Sequence, residues 1–451
     1  MTDYSQAIQF LYDLRLFGAK LGLENTRRLA ELAGNPQDKL RFIHVAGTNG
    51  KGSTCAVLES IYRHAGLRVG LFTSPHLVRF NERIQVNRMP ISEPEIVRLV
   101  PEAQGWIAQF PAEAHPTFFE VVTVMALRYF AEQRCELVVW ETGMGGRLDA
   151  TNIVTPVASV ITNIQLDHQK WLGQTIAEIA FEKAGIIKPG VPVITAAEPG
   201  AGLETIAEIA RQKNGPLTVV NRTDPVDQFR LALHGKHQRL NAALALATVN
   251  VLSSGPPHPG PLPQGGEGEG ERRGPLPQEG RGDRRRRPWP IAEALANVNW
   301  PGRTQVMRLH DGREVLLDGA HNPEGIRVLC EELDSSFAGR KPVIIFGVLS
   351  DKNFSEMLPP LAAHAEQLLL VPVKSDRSAS VHELLSPHSD GRVPRVPCSS
   401  LPDALAKASK ARFILITGSL YLVGEALEYF GYSPSPKVSE FALNEWGASK
   451  V

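Results

Sequence analysis

Cysteine is scarce in this chain: four in 451 residues, Cys55, Cys135, Cys330 and Cys398, none at the short spacing of a zinc-binding pair. That excludes a disulfide framework and a cysteine metal site, and leaves buried thiols in a reducing compartment. Net charge is lacking too, with 48 Lys and Arg against 48 Asp and Glu. No bulk field draws in nucleic acid or an anionic membrane, so small molecules are the expected partners. No apolar run approaches the ~20 residues of a membrane span. Met1-Thr-Asp-Tyr-Ser lacks the basic and apolar regions of a signal peptide, and a cytoplasmic protein is expected. What remains is globular composition, 43% hydrophobic and 21% charged. A chain this long exceeds one core, so two domains are expected.

The most informative stretch is Phe42-Ile-His-Val-Ala-Gly-Thr-Asn-Gly-Lys-Gly-Ser-Thr54. A short strand enters a turn of three glycines and one lysine, and Val57, Leu58, Ile61 and Tyr62 follow at helical spacing. Strand, glycine turn and helix N-terminus make an anion site, because free N–H groups and the positive helix end face one place. Gly47, Gly50 and Gly52 permit positive φ and close approach of phosphate oxygens. Lys51 adds a mobile cation where β and γ phosphates lie. The spacing departs from G-x-x-x-x-G-K-[ST]: Val45 takes the first glycine position, and Gly52 separates Lys51 from Ser53. A turn serving only tight packing is the plainer alternative. Phosphate binding fits better.

Tyr4 to Leu32 carries apolar residues at helical period, among them Ile8, Leu11, Leu14 and Leu16. Short buried strands are predicted at 68–74, 136–141, 157–162 and 191–195, with a helix over Thr117 to Tyr129. Pro75 ends the first of these strands. The alternation predicts an α/β fold, a P-loop-type, mostly parallel sheet with helices on both faces. Ligands bind beyond the carboxyl ends of such strands. That places the Gly47 loop, Ser74, the Glu141 turn and Asp167-His168 on one rim. After Trp300-Pro-Gly-Arg303 a smaller α/β domain is expected, with strands at 315–318, 343–346, 368–371 and 413–416. The domains are read as 1–298 and 299–451, with a short tail beyond Tyr432. Ser253 to Pro290 belongs to neither pattern: proline, glycine and charge dominate it, Gly-Pro-Leu-Pro-Gln occurs twice, and disorder is expected. Its run Arg284 to Arg287 reads as a solvated basic stretch rather than a nucleic-acid patch.

Glu141 closes a strand before Thr-Gly-Met-Gly-Gly and is either a metal ligand or a carboxylate capping the turn. His168 is a ligand or an ordinary core or surface histidine, and Ser74 a ligand or a strand-end hydroxyl. Converging on the phosphate rim, the three suit magnesium, with the imidazole leaving manganese open. From pattern alone, Lys183 on a helix starting near Thr175 reads as solvent-facing. Asp318-Gly-Ala-His-Asn-Pro323 ends a strand, and its polar groups either bind ribose or phosphate or make an Asx-type turn.

Taken together, Gly47 to Thr54, Thr73-Ser-Pro-His76, Glu141 with Gly143-Met-Gly-Gly-Arg-Leu-Asp-Ala-Thr-Asn152, Leu166-Asp-His168, Glu182-Lys-Ala-Gly185 and Asp318 to Pro323 occur in this order. The set resembles the folylpolyglutamate synthase/dihydrofolate synthase family of the Mur ligase superfamily, from about Tyr4 to Tyr429. The resemblance implies Mur ligase-like domains and ATP-dependent amide ligation. It implies a phosphate cradle of Thr48, Asn49, Gly50, Lys51, Gly52 and Ser53, and a catalytic set of Lys51, Glu141, His168 and Lys183. Ser74, Glu141 and His168 would hold Mg2+, with a second Mg2+ and K+ compatible, and Lys183 would be carbamylated into an anionic ligand. Asn241, Arg303 and Asp318 match nucleotide contacts, Thr117, Leu148 and Asp149 the pterin pocket, and His321 and Ser378 further substrate positions. Thr417-Gly-Ser-Leu-Tyr421 also fits the family's second domain. The insert interrupts the pattern between Asn241 and Arg303 and is expected to loop out.

The implied reaction moves the γ-phosphoryl of ATP to a pterin-linked carboxylate, and the α-amine of L-glutamate displaces phosphate from the acyl phosphate. Dihydropteroate, reduced folates or both are the implied acceptors, and a monomer the implied state. Three alternatives stand beside it. Another amide ligase of the superfamily shares the chemistry, but the peptidoglycan type is expected to carry a sugar-nucleotide-binding domain ahead of the loop, which here begins at Gly47. A P-loop phosphotransferase needs no amine acceptor. A binding protein with a dead site turns over nothing.

Overall fold

Runs such as Phe42-Ile-His-Val-Ala46 and Val343-Ile-Ile-Phe346 are buried at every position, as strands covered on both faces must be. They lie at the centres of two sheets in a computed structural model that describes residues 3–18, 22–221, 226–254, 289–385, 393–432 and 440–444. The first sheet contains β1 (Phe42–Ala46), β2 (Val69–Phe72), β3 (Ile84–Val86), β4 (Met89–Pro90), β5 (Leu137–Glu141), β6 (Ala158–Ile161), β7 (Val193–Thr195) and β8 (Leu217–Val219). Their order is β4-β3-β2-β5-β1-β6-β7-β8, with β2, β5, β1, β6, β7 and β8 parallel, β3 antiparallel to β2 and β4 antiparallel to β3. The chain runs outward from β1 in both directions, so the ends of β5, β1 and β6 flank the place where strand order reverses.

The second sheet contains β9 (Gln305–Arg308), β10 (Glu314–Leu317), β11 (Val343–Phe346), β12 (Gln367–Leu370), β13 (Arg395–Pro397) and β14 (Phe413–Thr417). Its order is β13-β12-β11-β14-β10-β9, parallel except for β9. Each sheet has a core on both faces. Against the first sheet pack the helices Lys51–His64, Lys236–Ser254 and Ile291–Ala296 on one side, and Tyr4–Asp13, Glu93–Ile107 and Phe118–Glu132 on the other. Trp140 is fully buried, and its Nε1 donates to the Thr151 carbonyl at 3.0 Å.

The predicted strands are present: those of the first sheet are shorter, while in the second 343–346 matches, 315–318 and 368–371 shift by one residue and 413–416 extends to Thr417. The Thr117 helix starts at Phe118 with Thr117 as its cap. The helical stretch from Tyr4 to Leu32 is two helices, Tyr4–Asp13 and Glu24–Leu32. Strands β3, β4, β8, β9 and β13 were not predicted. They are two to four residues long and sit at or beside sheet edges, where no buried apolar run is required. All four cysteines are buried and free. The expected tail beyond Tyr432 returns at 440–444 to the first domain, where Leu443 joins the core containing Leu11 and Phe72. Residues 255–288 of the proline-rich insert, Arg284 to Arg287 among them, lie outside the described residues. Among the described residues no helix is long and apolar enough to cross a membrane.

Candidate active site

The turn after β1 is built for close approach. Gly47 has φ +146°, and a Cβ there would stand 1.8 Å from Thr162 Oγ1. Gly50, at φ +84°, caps the helix Lys51–His64 and faces the Asn241 amide. Gly52 has a different reason: a Cβ would press on the Trp300 indole at 2.8 Å, so this glycine admits a neighbouring ring rather than only a phosphate. The loop is pinned by the segment after β6. Thr48 N donates to Asn163 O at 2.9 Å, Asn49 N to Asn163 Oδ1 at 2.8 Å, and Thr162 Oγ1 to Asn49 O at 2.7 Å. Ser53 is buried in the first helical turn.

Two lysine amines meet on one oxygen here. Lys51 Nζ donates to Gly47 O at 3.1 Å and Thr48 O at 3.2 Å, and Lys183 Nζ donates to the same Gly47 O at 2.8 Å. Lys183 is not solvent-facing, as its pattern suggested, but 4% exposed. It lies on the helix Ile176–Ala184, which Thr175 caps, and that helix face packs on the sheet rim. Burial first, and the nearby Lys51 second, pull its amine down to about 7 against Asp167 and Asp149.

At the end of β5, the Glu141 carboxylate is buried and accepts from Ser74 N at 3.1 Å. Burial pushes it up to about 7, opposed by Lys51, the Ser74 amide, Arg303 and Arg83. Ser74 Oγ and Thr142 Oγ1 are buried without a hydrogen-bond partner. A buried carboxylate in want of countercharge beside an orphaned hydroxyl suits a hard cation. His168 has φ 50° and precedes the short helix Gln169–Leu172. Its side chain is 41% exposed; partial burial, with Lys352, Lys183 and Lys51 nearby, lowers it below the usual imidazole value despite Asp167. A neutral imidazole keeps a lone pair for a ligand. Lys51 is in electrostatic reach of Glu141, His168 and Lys183, which makes them one site. Among the described residues no three His, Cys, Asp or Glu side chains form a metal cage by themselves.

The second domain reaches this rim directly. Lys352 Nζ pairs with Asp167 Oδ1 at 2.7 Å, both side chains 9% exposed. Asn322 Nδ2 donates to Asn49 Oδ1 at 3.1 Å and Asp167 Oδ2 at 3.2 Å, while its Oδ1 caps the helix Pro323–Ser336 through Gly325 N at 2.8 Å. His321 Nε2 stands 4.0 Å from Asp167 Oδ2, with Nδ1 on Gly319 O at 2.8 Å. Burial alone would raise the Asp167 carboxyl, but His168, Lys352 and His321 hold it well below the usual range. Arg303 lies in electrostatic reach of both Asp318 and Glu141. Asp318 ties its own turn to the segment before β9: Oδ2 accepts from Thr304 N at 2.8 Å and Oδ1 from Ala320 N at 2.9 Å. Of the two readings for that motif, the turn is visible and also sets the Arg303 backbone. Lys352 and Arg83 were not singled out from sequence, and Trp300 served only to mark the start of the second domain. Lys352 follows a strand of the second sheet in the same way as the first-domain candidates, and that position was the available signal.

The remaining positions are engaged locally. Asn241 Nδ2 donates to Gln238 Oε1 at 3.1 Å and lies over Gly50. Thr117 exchanges hydrogen bonds with Glu120, and Asp149 binds Met144 N at 2.8 Å and Thr151 N at 3.0 Å. Leu148 beside it is half-buried. Ser378 Oγ accepts from Val373 N at 3.0 Å and donates to Ala379 O at 3.0 Å.

A glycine anion loop, a carboxylate–hydroxyl pair and a second domain docked on them define a Mur-type ligase, an ATP-dependent enzyme that forms amide bonds. Residues 45–214 match the Mur ligase middle domain, and residues 302–420 the Mur ligase glutamate ligase domain. The chain belongs to the dihydrofolate synthase/folylpolyglutamate synthase family. It is 33% identical over 453 residues to the dihydrofolate synthase/folylpolyglutamate synthase of Bacillus subtilis, covering 94% of this chain and 98% of that one. It is 34% identical to the folylpolyglutamate synthase of Lacticaseibacillus casei, over 93% and 97% of the two chains. Among solved structures, E. coli FolC in complex with DHPP and ADP superposes with TM-score 0.78 at 28% identity, over 95% and 98% of the chains.

Proposed function

We propose that this chain joins L-glutamate to a pterin-linked carboxylate, of dihydropteroate, reduced folates or both, through an acyl phosphate. The observation that carries the reading is the convergence of Lys51 and Lys183 on the Gly47 carbonyl, beside a buried Glu141. An arriving polyphosphate relieves that repulsion. Loop amides from Thr48 to Ser53 would cradle it, with Lys51 turning from the Gly47 and Thr48 carbonyls to the phosphates. Ser74, Glu141 and His168 are the residues that would hold Mg2+, which when bound neutralises phosphate charge; a second Mg2+ and K+ belong to the same proposal.

The carboxylate of the pterin substrate attacks the γ-phosphoryl, ADP leaves, and the glutamate amine then displaces phosphate. Arg303, with Asn241 and Asp318, is assigned to the nucleotide, and closure of the second domain keeps water from the acyl phosphate. Thr117, Leu148 and Asp149 are assigned to the pterin side, His321 and Ser378 to the remaining substrate. The lowered Lys183 supports its carbamylation, since only the neutral amine adds CO2, losing a proton to give the carbamate. A monomer in the cytoplasm completes the proposal.

The test is glutamate-dependent ADP release with Mg2+ and ATP, using dihydropteroate and tetrahydrofolate separately. Release with both is expected of a bifunctional enzyme, and release with one alone identifies the acceptor. ADP release that ignores glutamate would make the protein a phosphotransferase, and no release with either acceptor would sink the reading.

A further inference from the structure

The loop that carries Ser74 is held by the far end of the chain. His76, two residues on, is 3% exposed, and its ring is bonded on both sides. Nδ1 accepts from Arg83 Nε at 2.9 Å, which leaves Nε2 to donate to the Glu440 carbonyl at 2.9 Å. Asn444 closes the circuit: its Nδ2 donates to His76 O at 3.0 Å, and its Oδ1 accepts from Arg83 Nη2. The Glu440 carboxylate accepts from Phe80 N and from Tyr4 Oη. Glu440 and Asn444 are 1% and 3% exposed, and Leu443 between them is 1% exposed in the first domain's core.

The opposite side of the same loop belongs to the second domain. Val78 is part of the core formed by Tyr421, Leu422 and Val423, and Leu77 lies against Gly302. Glu82 folds the loop on itself by accepting from Leu77 N at 2.7 Å, Val78 N at 2.9 Å and Arg79 N at 2.7 Å. Arg83 faces Glu141 electrostatically, so the network ends at the carboxylate of the candidate site. No catalytic step needs Glu440 or Asn444. Yet two buried polar side chains from a segment remote in sequence are spent on one loop.

We propose that residues 440–444 are a clasp in which the Glu440 carboxylate, through Phe80 N, and Asn444, through His76 and Arg83, position the Ser74 loop and so set the affinity of the cation site. The effect on the cation rests on the ligase reading above; the effect on the loop does not. Glu440 and Asn444 are positioning residues, since neither touches the site itself.

The test uses the full chain with Asn444→Ala and Glu440→Ala, without ligands first. Hydrogen–deuterium exchange of the 73–83 amides should rise at least tenfold, while β1 and β5 amides keep wild-type rates. With ATP, glutamate and the pterin acceptor that supports turnover, the Mg2+ concentration for half-maximal ADP release should rise at least fivefold, and the glutamate KM change less than twofold. Asn444→Asp, which keeps the acceptor for Arg83 and loses the donor to His76, should fall between, and it carries the test if the alanine variants do not fold. Exchange at 73–83 within twofold of wild type, or an unmoved Mg2+ requirement in active variants, overturns the clasp. Wild type without glutamate-dependent turnover defeats the ligase reading instead, and the exchange result then judges the clasp alone.

Discussion

The carboxyl rims of the two sheets use polar residues in opposite ways. On the first, Lys51, Lys183, Glu141 and Ser74 are buried or half-buried with charge opposed or a hydroxyl unpaired. On the second, Asp318 is held by Thr304 N and Ala320 N, Ser378 is satisfied within its own loop and Asn322 caps a helix before it reaches across, although Thr417 Oγ1 at the end of β14 is buried without a hydrogen-bond partner. One rim holds unsatisfied electrostatics that a ligand completes. The other is mostly satisfied by its own hydrogen bonds and serves to deliver. The lesson is that chemistry concentrates where local hydrogen bonding stops short, not simply where polar residues gather.

The comparison can be broken most sharply at the first rim. Lys51→Ala or Glu141→Ala should lower glutamate-dependent ADP release by at least about a thousandfold, with the melting transition retained, because charge neutralisation dominates phosphoryl transfer. Full activity in either purified variant would sink the assignment. Next comes the contact between the rims. Asp167→Asn strands the buried Lys352 and should cost about 3 kcal/mol in denaturant unfolding. Pairing it with Lys352→Met should recover much of that loss, and strict additivity would show that the two groups do not interact.

Two pH series sharpen the contrast. Folding raises Glu141 from 4.5 to about 7, so the native state keeps a proton the unfolded chain has lost, and stability falls as pH rises through that window. Without ligands, Glu141→Gln should therefore match wild type near pH 4 and exceed it at pH 8 by on the order of 2 kcal/mol. Lys183 has the opposite slope: its amine falls from 10.5 to about 7, the unfolded chain binds the extra proton, and stability rises with pH in between. Lys183→Met should gain most below pH 7 and nothing above about pH 10.5. Thermal melts across pH 4–11 read both. The smallest effect is Thr117→Ala, a lost helix cap worth about 1 kcal/mol in denaturant unfolding. A pterin KM that rises severalfold in the same variant assigns Thr117 to the pocket as well.

The phosphate loop and central strands were legible because both are local: a strand, three glycines and a lysine need only a dozen residues. Lys183 was not legible from its own surroundings, since its helix face is decided by a sheet edge far away in sequence. The family resemblance marked it, and physical pattern pointed outward. Lys352 was hidden for a related reason: it looks like a surface charge until the domains dock, whereas Asp167 was already placed on the rim. Gly52 was read for phosphate approach, and Trp300, nearly 250 residues away, supplies another cause. The segment 440–444 read as tail because five residues show no period; Leu443 and two polar side chains bury it nonetheless.

The helix Lys236–Ser254, at whose end the described residues stop, packs on the helix Lys51–His64, and Trp289, where they resume, lies against that same helix. There Trp289 stacks edge-on to Tyr62 at 5.3 Å and Ser60 Oγ donates to Ala294 O at 2.8 Å. Both ends are thus anchored to one rigid rod before anything is placed between them. Since each doubling of a flexible connection costs only about 0.6 kcal/mol, this surface is a natural port for grafting. An affinity handle, a fluorophore or a whole reporter domain spliced between 255 and 288 would ride on the back of the nucleotide loop's own helix, and its signal would be coupled to that helix by construction.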